Sequence, residues 1–192
     1  MFDLITKSKI RKNILLLFVY NPEKEYYINE VARLMKTSSG TAARELQKLI
    51  KSGFLKKEEK ANAMYFKMNS ASVVAHDIKN IIDKTIGLEY VLKRELSGIK
   101  NICFSFIFGS YVSGDMKVDS DIDLYIIGEV NEDELHMRTK NVEKYIHREV
   151  NYHIATIGEF KEKLSTSFFH KKIVENYILL SGDESEFRKL VG

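Results

Sequence analysis

From Lys9 to Tyr20 apolar residues recur at Ile10, Ile14 and Leu17, with Leu15, Leu16 and Phe18 widening the stripe, so the spacing predicts a mostly buried helix. Asn21-Pro22 ends it. Ile28, Val31, Ala32, Leu34 and Met35 predict a short second helix, after which Thr37, Ser38 and Ser39 offer N-cap hydroxyls to a third. That third helix turns Ala42, Leu46, Leu49 and Ile50 inward and stops at Gly53. Residues 54–59 and 64–68, joined by 60–63, read as a β-hairpin. Residues 72–97 are helical by pattern, with Gly87 softening the middle. Residues 102–108 form a nearly unbroken apolar run too short for an isolated helix, which reads as a strand buried on both faces. A turn of helix near Ser110 follows, then a strand over 121–127, a helix over 132–147 and a third strand over 150–157. Helices over 159–164 and 168–177, a short strand over 178–182 and a helix over 184–191 complete the chain.

Three helices and a hairpin make a winged helix-turn-helix, and the strands and helices after residue 99 make a small mixed sheet flanked by helices. The fold class expected is therefore α/β, α+β overall. The division expected is a winged-helix domain over 1–69, a connecting helix over 70–98 and an α/β domain over 99–192. The connecting helix suits either packing on the next domain or pairing with a second copy, and paired half-sites on DNA would favour a homodimer.

Composition narrows the function. With 44% apolar and 30% charged residues, and no apolar run near the roughly 18 residues a membrane span needs, no membrane partner is expected. Residues 14–20 lack the length and cleavage site of a signal peptide, and a single cysteine excludes an internal disulfide, so a cytoplasmic protein is expected. Cys103 falls inside the predicted buried strand and reads as a small core residue. Residues 1–69 carry 14 Lys and Arg against 7 Asp and Glu, while residues 70–192 carry 16 against 20. A polyanion would bind the first half. The third helix leaves Ser39, Thr41, Arg44, Glu45 and Lys48 outside, and the hairpin carries Lys56, Lys57 and Lys60. Small hydroxyls permit close approach to double-stranded DNA, and the cations reach phosphates or base edges. The same module can instead serve as a protein-binding or spacer element.

Chemistry concentrates around Phe108-Gly109-Ser110 and Ser120-Asp121-Ile122-Asp123-Leu124. Gly109 at a strand end lets backbone approach a ligand, and amides near Ser110 suit a phosphate. On a strand, Asp121 and Asp123 leave the same face, and two such carboxylates side by side make sense around a divalent cation with substrate phosphates. Asp121 and Asp123 are thus the candidate catalytic and metal residues, and Gly109, Ser110 and Ser120 the candidate nucleotide contacts. The five histidines show no zinc spacing.

The stretch GSYVSGDMKVDSDIDL resembles the nucleotidyltransferase superfamily related to DNA polymerase beta, in its minimal form. The stretch SSGTAARELQKLIKSGFL resembles the recognition-helix region of ArsR/MarR-type winged-helix regulators. Over nearly its full length the chain is also similar to a prokaryotic family that joins a winged helix, a KTxGL-type helix (Lys84 to Leu88), the GS…SDIDL block and a REVNY-type strand. The superfamily resemblance implies Mg²⁺ or Mn²⁺, a nucleoside triphosphate (ATP foremost) and a third carboxylate from a central strand. The position that aligns with it is Asn151, with Glu149 as the substitute, and in the similar prokaryotic family Asn is the norm. Three functions follow from this: a DNA-binding transcriptional regulator that senses a metal nucleotide, a working nucleotidyltransferase acting on a protein, small molecule or nucleic acid, or an antitoxin-like protein with a protein partner.

Overall fold

In the computed structural model, which describes residues 6–60 and 62–192, the chain forms two compact units. One holds the residues up to Tyr90 with Tyr145–His147, and the other Val91–Lys144 with Arg148–Gly192. The first opens with α1 (Lys9–Tyr20), capped by the Ser8 hydroxyl and buried at every residue from Ile14 to Tyr20. β1 (Tyr26–Tyr27), α2 (Ile28–Leu34), α3 (Ser39–Lys51), β2 (Leu55–Lys60) and β3 (Ala63–Met68) follow. Of the three hydroxyl residues before α3, Ser38 takes the cap position and accepts from the Thr41 amide at 3.2 Å. β2 and β3 pair antiparallel from Leu55↔Met68 to Lys60↔Ala63, the turn passing through Asn62 at φ 63, a conformation asparagine tolerates. β1 is too short for periodicity to reveal; it pairs with the other edge of β3 and gives the order β1-β3-β2. This is the arrangement of a winged helix-turn-helix.

Glu45 departs from the helical-wheel expectation: it is buried rather than facing solvent. The reason is a partner far away in sequence. Arg11 Nε donates to its carboxylate at 2.6 Å and Lys48 Nζ lies 3.0 Å from the other oxygen. The hydrogen bond from Arg11 holds the Glu45 carboxyl below the usual carboxylate range. A folded value below the unfolded one means that the stabilisation is present above the unfolded value and is lost as pH falls through the folded one. Glu45→Gln should therefore cost about 1–2 kcal/mol near neutral pH and nothing in acid, with Arg11 part-exposed and so partly screened. Urea denaturation of both proteins across pH measures this, and equal midpoints at pH 7 would show that the pair contributes nothing.

The helical stretch after the hairpin is two helices, α4 (Val73–Thr85) and α5 (Leu88–Leu96), rather than one. The interruption has a cause on α1. The Tyr20 hydroxyl donates to Asp83 Oδ1 at 3.0 Å and accepts from the Leu88 amide at 2.6 Å. It occupies the space that a side chain at Gly87 would need.

The second unit holds β4 (Ile102–Phe108), α6 (Ser110–Ser113), β5 (Ile122–Gly128), α7 (Glu132–Ile146) as far as Lys144, β6 (Val150–Ala155), α8 (Ile157–Thr166), α9 (Phe168–Ile173), β7 (Ile178–Ser181) and α10 (Glu184–Val191). Its sheet runs β6-β5-β4-β7, with β5 and β6 parallel and the other pairs antiparallel. Phe104, Phe106, Phe108, Tyr125 and Ile127 line one face, where Phe160 of α8, Ile173 of α9 and Phe187 of α10 join them. Opposed in register, Phe106 and Tyr125 stack with ring centroids 5.4 Å apart. Cys103 is exposed, not the core residue its surroundings in sequence imply. The register between β4 and β5 slips between Ile102 and Phe104, so Cys103 is the extra residue of a bulge and loses the alternation that would have buried it.

Candidate functional site

Strand register assembles the site. Phe108, the last residue of β4, lies opposite Asp123, and Asp123 lies opposite Asn151 across the parallel pair. Gly109 therefore follows Phe108 directly against Asp123. Its φ of 76 and ψ of −151 belong to glycine alone, and a Cβ at that position would run into the Asp123 carboxylate. The Gly109 carbonyl accepts from the Val112 and Ser113 amides, each at 3.1 Å, which turns the chain into the single helical turn that Ser110 opens.

Asp121 sits just before β5 and Asp123 within it, both half-buried. Burial, with the charge of Asp121 added, pushes the Asp123 carboxyl above its ordinary range, while His153 acts the other way. Asn151 is exposed, and its Nδ2 donates to Asp121 Oδ2 at 2.8 Å. Ser120 serves the loop: its hydroxyl accepts from the Lys117 amide at 2.9 Å. Arg148, buried and overlooked in the sequence, donates through Nη1 to the Ser120 carbonyl and through Nη2 to the Lys117 carbonyl at 3.0 Å. Together these contacts fix the approach to Asp121.

A cavity of about 500 Å³ opens on this end of the sheet, lined in part by Gly109, Asp123 and His153 and walled by Phe169, Lys172 and Asn176. The wall residues come from α9 and the turn after it, and no motif in the sequence pointed to them. Glu149 and Asn151 line a second, polar cavity of about 330 Å³ with His136, Lys140, Glu143 and Tyr152. Two crowded carboxylates, one of them reluctant to ionise, beside a glycine whose missing side chain makes room for the Asp123 carboxylate, fit a hard divalent cation. They fit one. Among the described residues no group of three His, Cys, Asp or Glu is placed to hold a metal ion.

In the first unit, Arg44, Lys56 and Lys57 are exposed. Thr41 Oγ1 accepts from Arg44 Nη2 at 3.2 Å, and the Ser39 hydroxyl donates to Asn29 at 2.8 Å. Lys48 is held by Glu45, and Lys60 by both oxygens of Glu25 at 2.8 Å. Two of the expected DNA cations thus already have carboxylate partners.

Residues 91–185 match the family described as Polymerase beta, Nucleotidyltransferase, and that stretch forms a nucleotidyltransferase-like domain. No curated protein matches the chain. Among solved structures, a toxin-antitoxin with AMP-PNP is 15% identical, with a TM-score of 0.40 over 54% of this chain and 80% of that one. The adhesin competence repressor of Streptococcus pyogenes is 16% identical, with a TM-score of 0.35 over 50% of this chain and 75% of that one. A putative nucleotidyltransferase from Sulfolobus solfataricus is 24% identical, with a TM-score of 0.30 over 50% and 78%. Overlaps at these TM-scores do not bear on function. Among the described residues no helix is long and apolar enough to cross a membrane.

Proposed function

We propose that the protein is a DNA-binding transcriptional regulator whose nucleotidyltransferase-like domain holds a Mg-nucleotide, ATP foremost, without transferring it efficiently. The observation that carries this reading is Asn151, a neutral amide in register with Asp123 and hydrogen-bonded to Asp121. Asp121 and Asp123 would hold Mg²⁺ or Mn²⁺, and Gly109 and Ser110 would receive phosphate. The cation would supply charge neutralisation for the phosphates. Asn151 can offer an oxygen but no charge, so a second ion lacks the negative partner that in-line transfer between two metals requires. Calorimetry with Mg-ATP, run beside a label-transfer assay, tests this: binding without labelling is the expected result.

On the DNA side, the exposed Arg44 on α3 and Lys56 and Lys57 on β2 support the reading, together with the basic charge of residues 1–69. Arg44→Ala should weaken the preferred duplex and relax its specificity, by about 1–3 kcal/mol if it reads a base edge. Lys56→Ala or Lys57→Ala should weaken all duplexes alike and flatten the salt slope by about one unit each. Titrations of genomic duplexes at several salt concentrations report both, and retention of no duplex would end the DNA reading. Glu149 favours the second reading, an active nucleotidyltransferase acting on a protein, small molecule or nucleic acid, because it shares the polar cavity with Asn151. Wild-type protein that readily labels itself or an acceptor with radioactive nucleotide would put that reading first.

A further inference from the structure

Phe169 is 43% exposed at the wall of the larger cavity, yet its ring is held in place. Its centroid lies 5.8 Å from that of Phe108 and 5.6 Å from that of His153. Tyr125 stacks on the other ring contact of this group, with its centroid 5.8 Å from His153 and the planes 19° apart. α9 is pinned as well, since His170 Nε2 meets the Tyr125 hydroxyl at 3.0 Å and His170 Nδ1 meets the Ser167 hydroxyl at 3.0 Å. A rigid aromatic face left open to water gains most from a flat apolar partner. Phe108 joins this face to the candidate phosphate and metal groups, being the residue before Gly109 and opposite Asp123. Glu175 and Asn176 border the same cavity and offer a carboxylate acceptor and an amide that both donates and accepts, the groups that base edges match.

We propose that Phe169 forms the nucleobase platform of this cavity, with His153 inclined to it at 56° as a side wall, so that the bound ligand is a nucleotide recognised through its base and not a polyphosphate alone. The inference rests on the metal-nucleotide reading above. It makes Phe169 the residue that separates ligands with a base from ligands without one.

The test compares Mg-ATP with Mg-tripolyphosphate, which keeps the phosphates and lacks base and sugar, by calorimetry on the full chain. The wild type should bind ATP more tightly, by the about 5- to 150-fold that stacking one base on an aromatic ring typically contributes. Phe169→Ala should bring ATP down to the tripolyphosphate affinity and leave tripolyphosphate unchanged. Phe169→Leu, which keeps apolar bulk without a ring face, should do the same and decides the matter if the alanine variant fails to fold. Equal wild-type affinities, or an ATP advantage that survives in the folded variants, would overturn the platform while leaving the phosphate and metal groups standing. Binding of neither ligand by the wild type would overturn both.

Discussion

Asp123→Asn should abolish Mg-ATP binding in calorimetry while leaving the fold intact, and Asp121→Asn should do the same. Losing an outer partner of a metal ligand typically costs about 10- to 100-fold in metal affinity, and loss of one of two charged ligands should exceed that. Stability supplies an independent readout. Burial and the neighbouring Asp121 raise the Asp123 carboxyl above its ordinary value, so the folded state binds a proton more tightly than the unfolded chain. Stability therefore falls as pH rises from the unfolded value through the folded one, and above that window the penalty is constant. Mg²⁺ at neutral pH should raise the melting temperature of the wild type. The Asp123→Asn protein should melt no lower than the wild type without cation, and it should ignore Mg²⁺. A variant that still binds Mg-ATP with wild-type affinity would remove Asp123 from the site.

Asn151→Asp should act in the opposite direction, raising divalent-cation affinity on the same roughly 10- to 100-fold scale. The new carboxylate would take the place of an amide that now donates to Asp121 at 2.8 Å, so a hydrogen bond becomes a like-charge contact unless a cation intervenes. Two measurements should therefore diverge: the cation-free protein melts lower than the wild type, and the cation-loaded protein melts higher. Label transfer that appears in this variant and not in the wild type would tie the missing charge to the missing chemistry. Unchanged divalent affinity would show that residue 151 does not face the ion.

The parts of the site that local sequence could announce were legible there. Gly109, Asp121 and Asp123 sit at the ends of apolar strands, where the turn from hydrophobic run to polar block is plain, and the parallel register sets Asn151 opposite Asp123. What local sequence could not announce depends on distant partners. Glu45 is buried because Arg11, on another helix, reaches it. The helix after the hairpin breaks because Tyr20 of α1 occupies the space at Gly87. Cys103 is exposed because a bulge shifts the alternation by one residue, and a bulge leaves no mark in an apolar run. The cavity wall at Phe169, Lys172 and Asn176 comes from chain well beyond the acidic motif, where no spacing rule links the two.

The two contacts that Arg148 makes to the Lys117 and Ser120 carbonyls bear on how fast and how cheaply a ligand is taken up. A loop rich in polar residues and bordered by glycine would ordinarily sample many shapes, and each arriving ligand would have to select one. Here a guanidinium at the start of the neighbouring strand grips that loop from its backbone side, so its shape is set when the sheet forms. The ordering entropy is spent in folding rather than in binding. On the metal-nucleotide reading proposed above, capture at Asp121 would then be a docking event onto a waiting surface, with affinity governed by charge and fit instead of by the closing of a flexible segment.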